Sequence, residues 1–181
     1  SIKENDSDPA LVSQALTLTT GVDSLTGKKA NDTFDASTAG SLDTSDVIDG
    51  GDGTDTLSAT IGAESIRPTI KNVEKINFTA TADTLNIDTR DFTGVTEFTN
   101  ESSVGKSSLN NLASIPTINI NSASSSADQT INFTDAALAG SADELKINLN
   151  NVSGTSDITV TDGGGTTNKL ETITIDSSSL A

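Results

Sequence analysis

The chain has 181 residues, 26 of them acidic and 10 basic, for a net charge of −16. That charge opposes nucleic acid and anionic membrane surfaces, where cationic side chains supply the affinity, and makes cations the natural partners. Five phenylalanines are the whole aromatic complement, and Trp, Tyr, Met, His and Cys are absent. A ring-based core, a disulfide framework, a thiolate metal site and a Ser–His or cysteine nucleophile are thereby excluded.

Residues 1–15 read as a polar lead-in segment with one short helical possibility over residues 9–16, where Asp8 can cap and Pro9 can sit in the first turn. No charged-then-apolar leader is found at Ser1, so either export without a cleaved leader or a chain start upstream is expected. From Leu16 the run LTLTTGVDSLTG alternates as strand, turn, strand.

Three turns follow in one register, and residues 16–60 are expected to form calcium-binding coils. The segment 27–34, GKKANDTF, runs from Gly27 through Asn31 and Asp32 to the apolar Phe34. The segment 45–48, SDVI, puts Asp46 in the same relation to Ile48. The segment 50–58, GGDGTDTLS, matches every fixed position of the calcium-binding nonapeptide G-G-x-G-x-D-x-U-x, with Asp55 as carboxylate and Leu57 as the core residue.

The chemistry follows from these residue types. Gly50, Gly51 and Gly53 permit positive φ and inward-facing carbonyls, and Asp55 adds a carboxylate. In a roll, alternate turns share an edge, so Asp32 and Asp55 are the first pair expected to share an ion, bound by one carboxylate and several carbonyls from each turn. Asp49 and Asp52 border the same turn. Asp46, with Asp43, faces the opposite edge and is a candidate for a second ion. Calcium suits such a site because it accepts six to eight oxygens in flexible geometry, whereas magnesium demands a stricter octahedron.

Residues 61–181 are expected to be β-solenoid coils, with more coils beyond Ala181 because the last unit, LETITIDSSSLA, stops after one strand. One strand series is expected at 73–78, 95–100, 115–120, 144–149 and 170–175, at intervals of roughly 20 to 30 residues. A second, at 84–87, 108–112, 129–133 and 156–160, gives each unit two strands. Triplets such as Ile76-Asn77-Phe78, Ile118-Asn119-Ile120 and Ile131-Asn132-Phe133 put two apolar side chains on one face and an amide on the other. The fold expected is an all-β, right-handed parallel β-solenoid with calcium-binding turns; an antiparallel β-sandwich is the alternative for short alternating strands. No run approaches the ~20 apolar residues of a membrane span.

A late echo, DGGGTTNKL at 162–170, carries Asn168 where Asp55 stands and Thr166 where Gly53 stands. Asp162, Gly164 and Asn168 there read as a weaker metal site or as a plain glycine turn. Asp83, Asp88, Arg90 and Asp91 form the one local cluster resembling polysaccharide-cleaving carboxylates; they also read as ordinary turn residues, and no His or Tyr accompanies them. No catalytic residue is assigned. A flat Thr face for ice or ligands would need a sustained Thr-x-Thr ladder, which the sequence lacks.

The runs LTTGVD at 18–23, NDTF at 31–34, DGGDGTDTL at 49–57 and NVE at 72–74 together resemble RTX-type calcium-binding surface-layer proteins of Gram-negative bacteria. The detailed match covers residues 16–80. The resemblance implies a non-catalytic, calcium-dependent β-solenoid, exported by a type I system and assembled with itself on the cell exterior as a lattice or adhesive layer. Cell-surface polysaccharide is a further partner expected through other regions. The alternatives it leaves are a calcium-stabilised stalk or adhesion domain of a type I-secreted RTX exoprotein and a polysaccharide-acting β-helix enzyme. Two departures stand out: Ala30 and two lysines replace glycines in the first turn, and no C-terminal export signal is recognisable.

Overall fold

A computed structural model describes residues 9–62, 65–82, 85–124, 127–152, 156–162 and 169–179. Every strand pairing within them is parallel. Sheet I stacks Ala15–Thr17, Thr33–Ala36, Thr56–Ile61, Lys75–Ala80, Glu97–Glu101, Thr117–Asn121, Glu144–Asn150 and Thr172–Ser179, each one coil further along the chain. Sheet II stacks Ser24–Thr26, Val47–Asp49, Thr69–Lys71 and Phe92–Thr93. Sheet III stacks Ser65–Ile66, Leu85–Asp88, Ser107–Leu112, Gln129–Phe133 and Ile158–Thr161. The chain is a parallel β-solenoid, and the antiparallel sandwich is excluded.

The cross-section changes along the axis. The first two coils use sheets I and II, those opened by Thr56–Ile61 and Lys75–Ala80 visit all three, and later coils use sheets I and III. The expected two-strand unit therefore fails in the middle, where Thr69–Lys71 and Phe92–Thr93 add a side. These pieces are too short to display an alternation of their own. The helix expected over 9–16 shrinks to a 3-10 turn at Pro9–Leu11, because Ala15–Thr17 is drawn into sheet I beside Thr33–Ala36.

Period-two alternation builds the core as ladders running from coil to coil. On sheet I, Leu16, Phe34, Leu57, Ile76, Phe98, Ile118 and Ile147 lie in register, with the exposed Ile175 next in the row. On sheet III the corresponding row is Ile66, Ile87, Leu109, Ile131 and Val160. Phe34, Leu57, Phe98 and Ile131 are fully buried, and such a side chain contributes about 1.5–3 kcal/mol through removal from water. Outside, Asn148 Nδ2 donates to Asn119 Oδ1 at 2.7 Å and Asn119 Nδ2 to Thr99 Oγ1 at 3.2 Å, so the amides between the apolar positions form their own ladder.

One layer of the interior is polar. Asn100, in register with Phe78 and Ile120, donates from Nδ2 to Gln129 Oε1 at 3.0 Å, and Ser107 Oγ donates to the same oxygen at 3.0 Å. All three residues are buried, and Asn100 Oδ1 has no partner.

Candidate metal centre

The chain leaves sheet II and turns into sheet I at 27–32, 50–55 and 72–74, and these turns stack directly. The stacking needs glycine. A Cβ on Gly50 would lie 1.8 Å from the Asn72 carbonyl oxygen and 2.4 Å from Asp55 Oδ2, and one on Gly27 would lie 2.0 Å from Gly50 O and 2.6 Å from Asp32 Oδ2. Each α-carbon thus faces a carboxylate oxygen of its own turn and a carbonyl of the next.

Backbone donors link the carboxylates. Asp32 Oδ1 accepts the Gln14 N–H at 2.6 Å and Oδ2 accepts the Lys28 N–H at 2.6 Å. Asp55 Oδ1 accepts the Asp32 N–H at 2.6 Å, and Glu74 Oε2 accepts the Asp55 N–H at 2.8 Å. Asp32 and Asp55 are therefore adjacent, joined through a donor rather than facing each other across a gap. Asp55 Oδ2 is the exception: it is buried and has no hydrogen-bond partner.

The orphan has a local cause. In the first turn Lys28 has negative φ and its N–H reaches Asp32 Oδ2; in the second, Gly51 adopts φ +93° and its N–H turns to Asp49 Oδ1 at 3.2 Å. Asp55 Oδ2 and the Asn72 carbonyl oxygen then both lie against the Gly50 α-carbon, and no donor reaches Asp55 Oδ2. Burial raises the Asp55 carboxyl above its ordinary value, the Asp32 N–H opposes this, and the charges of Glu74, Asp32 and Asp49 push it further up. A proton or a hard cation satisfies such a pair of oxygens. Both donors are oxygens, the type a calcium ion takes, and they supply two of the six to eight it accepts.

The remaining predicted ligands divide. Asn31 Oδ1 accepts the Thr54 N–H at 2.9 Å and Asp49 Oδ1 accepts from Asn72 Nδ2 at 2.8 Å, so both clamp the stack. Asp52 and Gly53 lie exposed at the tip. Asp46 sits on the other edge, where its oxygens accept the Asp23 N–H at 2.9 Å and the Asp43 N–H at 2.8 Å. Burial raises its carboxyl against those two donors. Asp162 pairs with Lys169 at 2.9 Å, while Gly164 and Asn168 lie outside the described residues. Among the described residues no group of three or more carboxylates is arranged around a metal position.

The carboxylates weighed for catalysis are engaged in separate ion pairs. Asp88 pairs with Arg90, and Asp91 pairs with Arg67 at 2.7 Å; Asp83 lies outside the described residues. Glu74 and Asn72 are the site residues that motif reading missed. Their signal is a carboxylate two residues before an inward apolar side chain, in Asp32-x-Phe34, Asp55-x-Leu57 and Glu74-x-Ile76. Asn72 occupies the column of Gly50 with φ +50°, a conformation asparagine tolerates better than most residues.

Comparison of the chain with protein-family models, with curated proteins and with solved structures finds no match.

Proposed function

We propose that the chain is a non-catalytic, calcium-dependent structural module of a secreted bacterial surface-layer protein, a stiff solenoid whose coils support self-assembly on the cell exterior. The observation that carries the reading is Asp55 Oδ2, a buried carboxylate oxygen without a donor, packed with the Asn72 carbonyl against Gly50, where a Cβ would collide with both oxygens. Asp55 and Asn72, with Glu74 holding Asp55 in place, would hold the ion. Calcium would supply charge neutralisation and a tie between consecutive coils of an acidic chain. Sequence supports the same reading through the nonapeptide at 50–58 and the resemblance over residues 16–80.

Isothermal titration of the whole chain with calcium and with magnesium tests the metal, and light scattering in the same titration tests assembly. Saturable calcium binding, lost in Asp55→Asn, with scattering that rises alongside it, is the expected result. Absence of calcium binding at millimolar concentration would remove the basis of the proposal, and binding without association would leave a calcium-stabilised stalk.

A further inference from the structure

A groove of about 580 Å3 crosses the outward side of sheet III near the C-terminal ends of its strands, and none of the metal-centre residues lines it. Its floor is a row with one polar side chain per coil, Asp88, Asn110, Asn132 and Thr161. Asp88 is in register with Asn110, and Asn132 with Thr161. Asn132 Nδ2 donates to Asn110 Oδ1 at 2.5 Å, and Thr161 Oγ1 donates to Asn132 Oδ1.

The groove owes its shape to an irregularity in one strand. Leu109 pairs with Ile131 and Leu112 with Phe133, so Asn110 and Asn111 together oppose Asn132. Asn111 takes φ +62°, and its Nδ2 donates to Asp88 Oδ1 at 2.9 Å. Bulges of this kind re-aim side chains beside functional sites, and a non-glycine residue held at positive φ costs energy that the surroundings must offset. Through Thr99, Asn119 and Asn148 the outward side chains form a regular ladder; here the backbone departs from regularity to add a second amide to the row.

We propose that this groove binds a neutral oligosaccharide laid across the strands, its hydroxyl groups bonded to the amide row of Asn110, Asn111 and Asn132. Carboxamides both donate and accept, as sugar hydroxyls do, and the row uses one N–H of Asn111 and one of Asn132, leaving each a second. Rows repeat at the strand spacing of about 4.8 Å, on the order of one pyranose unit along a chain. The charged groups are internally paired, Asp88 with Arg90 and Arg67 with Asp91, so no unbalanced cation invites an acidic sugar. Hydrogen bonding by Arg90 holds the Asp88 carboxyl at about 2, so it remains an ionised acceptor at physiological pH. Every phenylalanine is buried, so no exposed ring offers a stacking platform. Binding by one chain is therefore weak, and display of many copies strengthens it by avidity.

The test is side-chain amide NMR of the full chain, with calcium present, titrated with maltohexaose, cellohexaose and mannohexaose and with hexagalacturonate as the acidic comparator. A saturable shift of the Asn110, Asn111 and Asn132 amides with at least one neutral sugar is expected. Asn132→Ala should weaken it at least tenfold, and Asn111→Gly, which keeps the bulge conformation, should do so several-fold. Asn119→Ala, on the regular ladder of sheet I, should leave it unchanged. The proposal is overturned if no neutral sugar shifts these signals at about 10 mM, beyond the range expected of hydrogen bonds without stacking. It is equally overturned if the Asn119 and Asn148 amides respond as strongly, or if the acidic sugar binds more tightly.

Discussion

The N–H of Asp32 donates to Asp55 Oδ1 at 2.6 Å, which hangs the carboxylate of one coil from the backbone of the coil before it. The same device recurs where Gln14 meets Asp32, where Asp55 meets Glu74, and where the Asp143 N–H meets Glu171 Oε2 at 2.7 Å. Hydrogen bonds to ionised groups contribute about 1.5–3 kcal/mol each, so the column stabilises the stack before any ion is considered. Its cost is concentrated at Asp55, whose second oxygen the column leaves without a donor.

Asp55→Asn therefore has a counterintuitive consequence. The amide keeps an oxygen for the Asp32 N–H and turns its nitrogen toward the Asn72 carbonyl, replacing two facing acceptors with a donor and an acceptor. In chelator the variant should be more stable than the parent by about 1–3 kcal/mol, the usual cost of a buried unsatisfied group. It should also lose the stabilisation by calcium. Urea denaturation with and without chelator measures both effects, and an apo variant weaker than the parent would contradict the geometry.

Glycine substitution separates crowding from propensity. Gly50→Ala drives a methyl into the Asn72 carbonyl and Asp55 Oδ2, and should destabilise by about 3 kcal/mol or more. Gly62→Ala meets nothing within 4 Å and should fall within about 0.5 kcal/mol of the parent. Equal melting temperatures for the two variants would show that the turns are looser than the stack requires.

Acidity should act with opposite sign in calcium and in chelator. The Asp55 and Asp46 carboxyls are raised in the folded chain, mainly by burial, so the folded state holds their protons to higher pH than the unfolded state does. In chelator, stability should fall as pH rises from the ordinary carboxylate range through those raised values, with the penalty complete above them. Asp88, lowered to about 2, adds stability above its ordinary value that is lost as pH falls toward 2. The apo chain should thus be most stable in mild acid. With calcium the limb above that maximum should flatten or reverse, because protons compete with the ion for Asp55. A melting series across pH in calcium and in chelator checks the crossing.

Most of the solenoid was legible because alternation has a period of its own. Ile131-Asn132-Phe133 and its relatives announce an inward face and an outward amide, and the observed Gln129–Phe133 matches the expected bounds. Thr69–Lys71 and Phe92–Thr93 were not legible: two or three residues cannot display a period, and their pairing is set by the coils on either side. At the candidate site, the alternation of turns in a roll placed Asp55 and Asp32 on one edge. Glu74 shares the carboxylate-x-apolar spacing of Asp32 and Asp55, but no glycines accompany it, so its part in the column shows only in its register with Asp55. The Asn110–Asn111 bulge was equally hidden, since an inserted residue in an Asn-rich strand leaves no compositional trace.

The polar layer in the core offers a test of packing. Asn100→Leu alone removes a donor from Gln129 Oε1 but relieves the unpartnered Asn100 Oδ1, whereas Gln129→Leu alone strips Asn100 and Ser107 of their acceptor. Gln129→Leu should cost about 1–3 kcal/mol, and the Asn100→Leu, Gln129→Leu pair should recover the part owed to Asn100, because that amide goes with its acceptor and only Ser107 still lacks a partner. A double-mutant cycle by chemical denaturation reads the coupling. Strict additivity would mean that the two amides do not meet.

The central claim is that an ion completes the oxygen pair at Asp55 and thereby stabilises the solenoid, and thermal unfolding across a calcium series tests it most directly. When only the folded state binds, stabilisation grows as RT ln(1 + [Ca]/Kd), about 2.7 kcal/mol at a hundredfold excess over Kd. The parent chain should melt at steadily higher temperature as calcium rises through the millimolar range, and Asp55→Asn should not. Coincident melting curves in chelator and in about 10 mM calcium, a concentration at or above the dissociation constants of extracellular calcium modules, would contradict it.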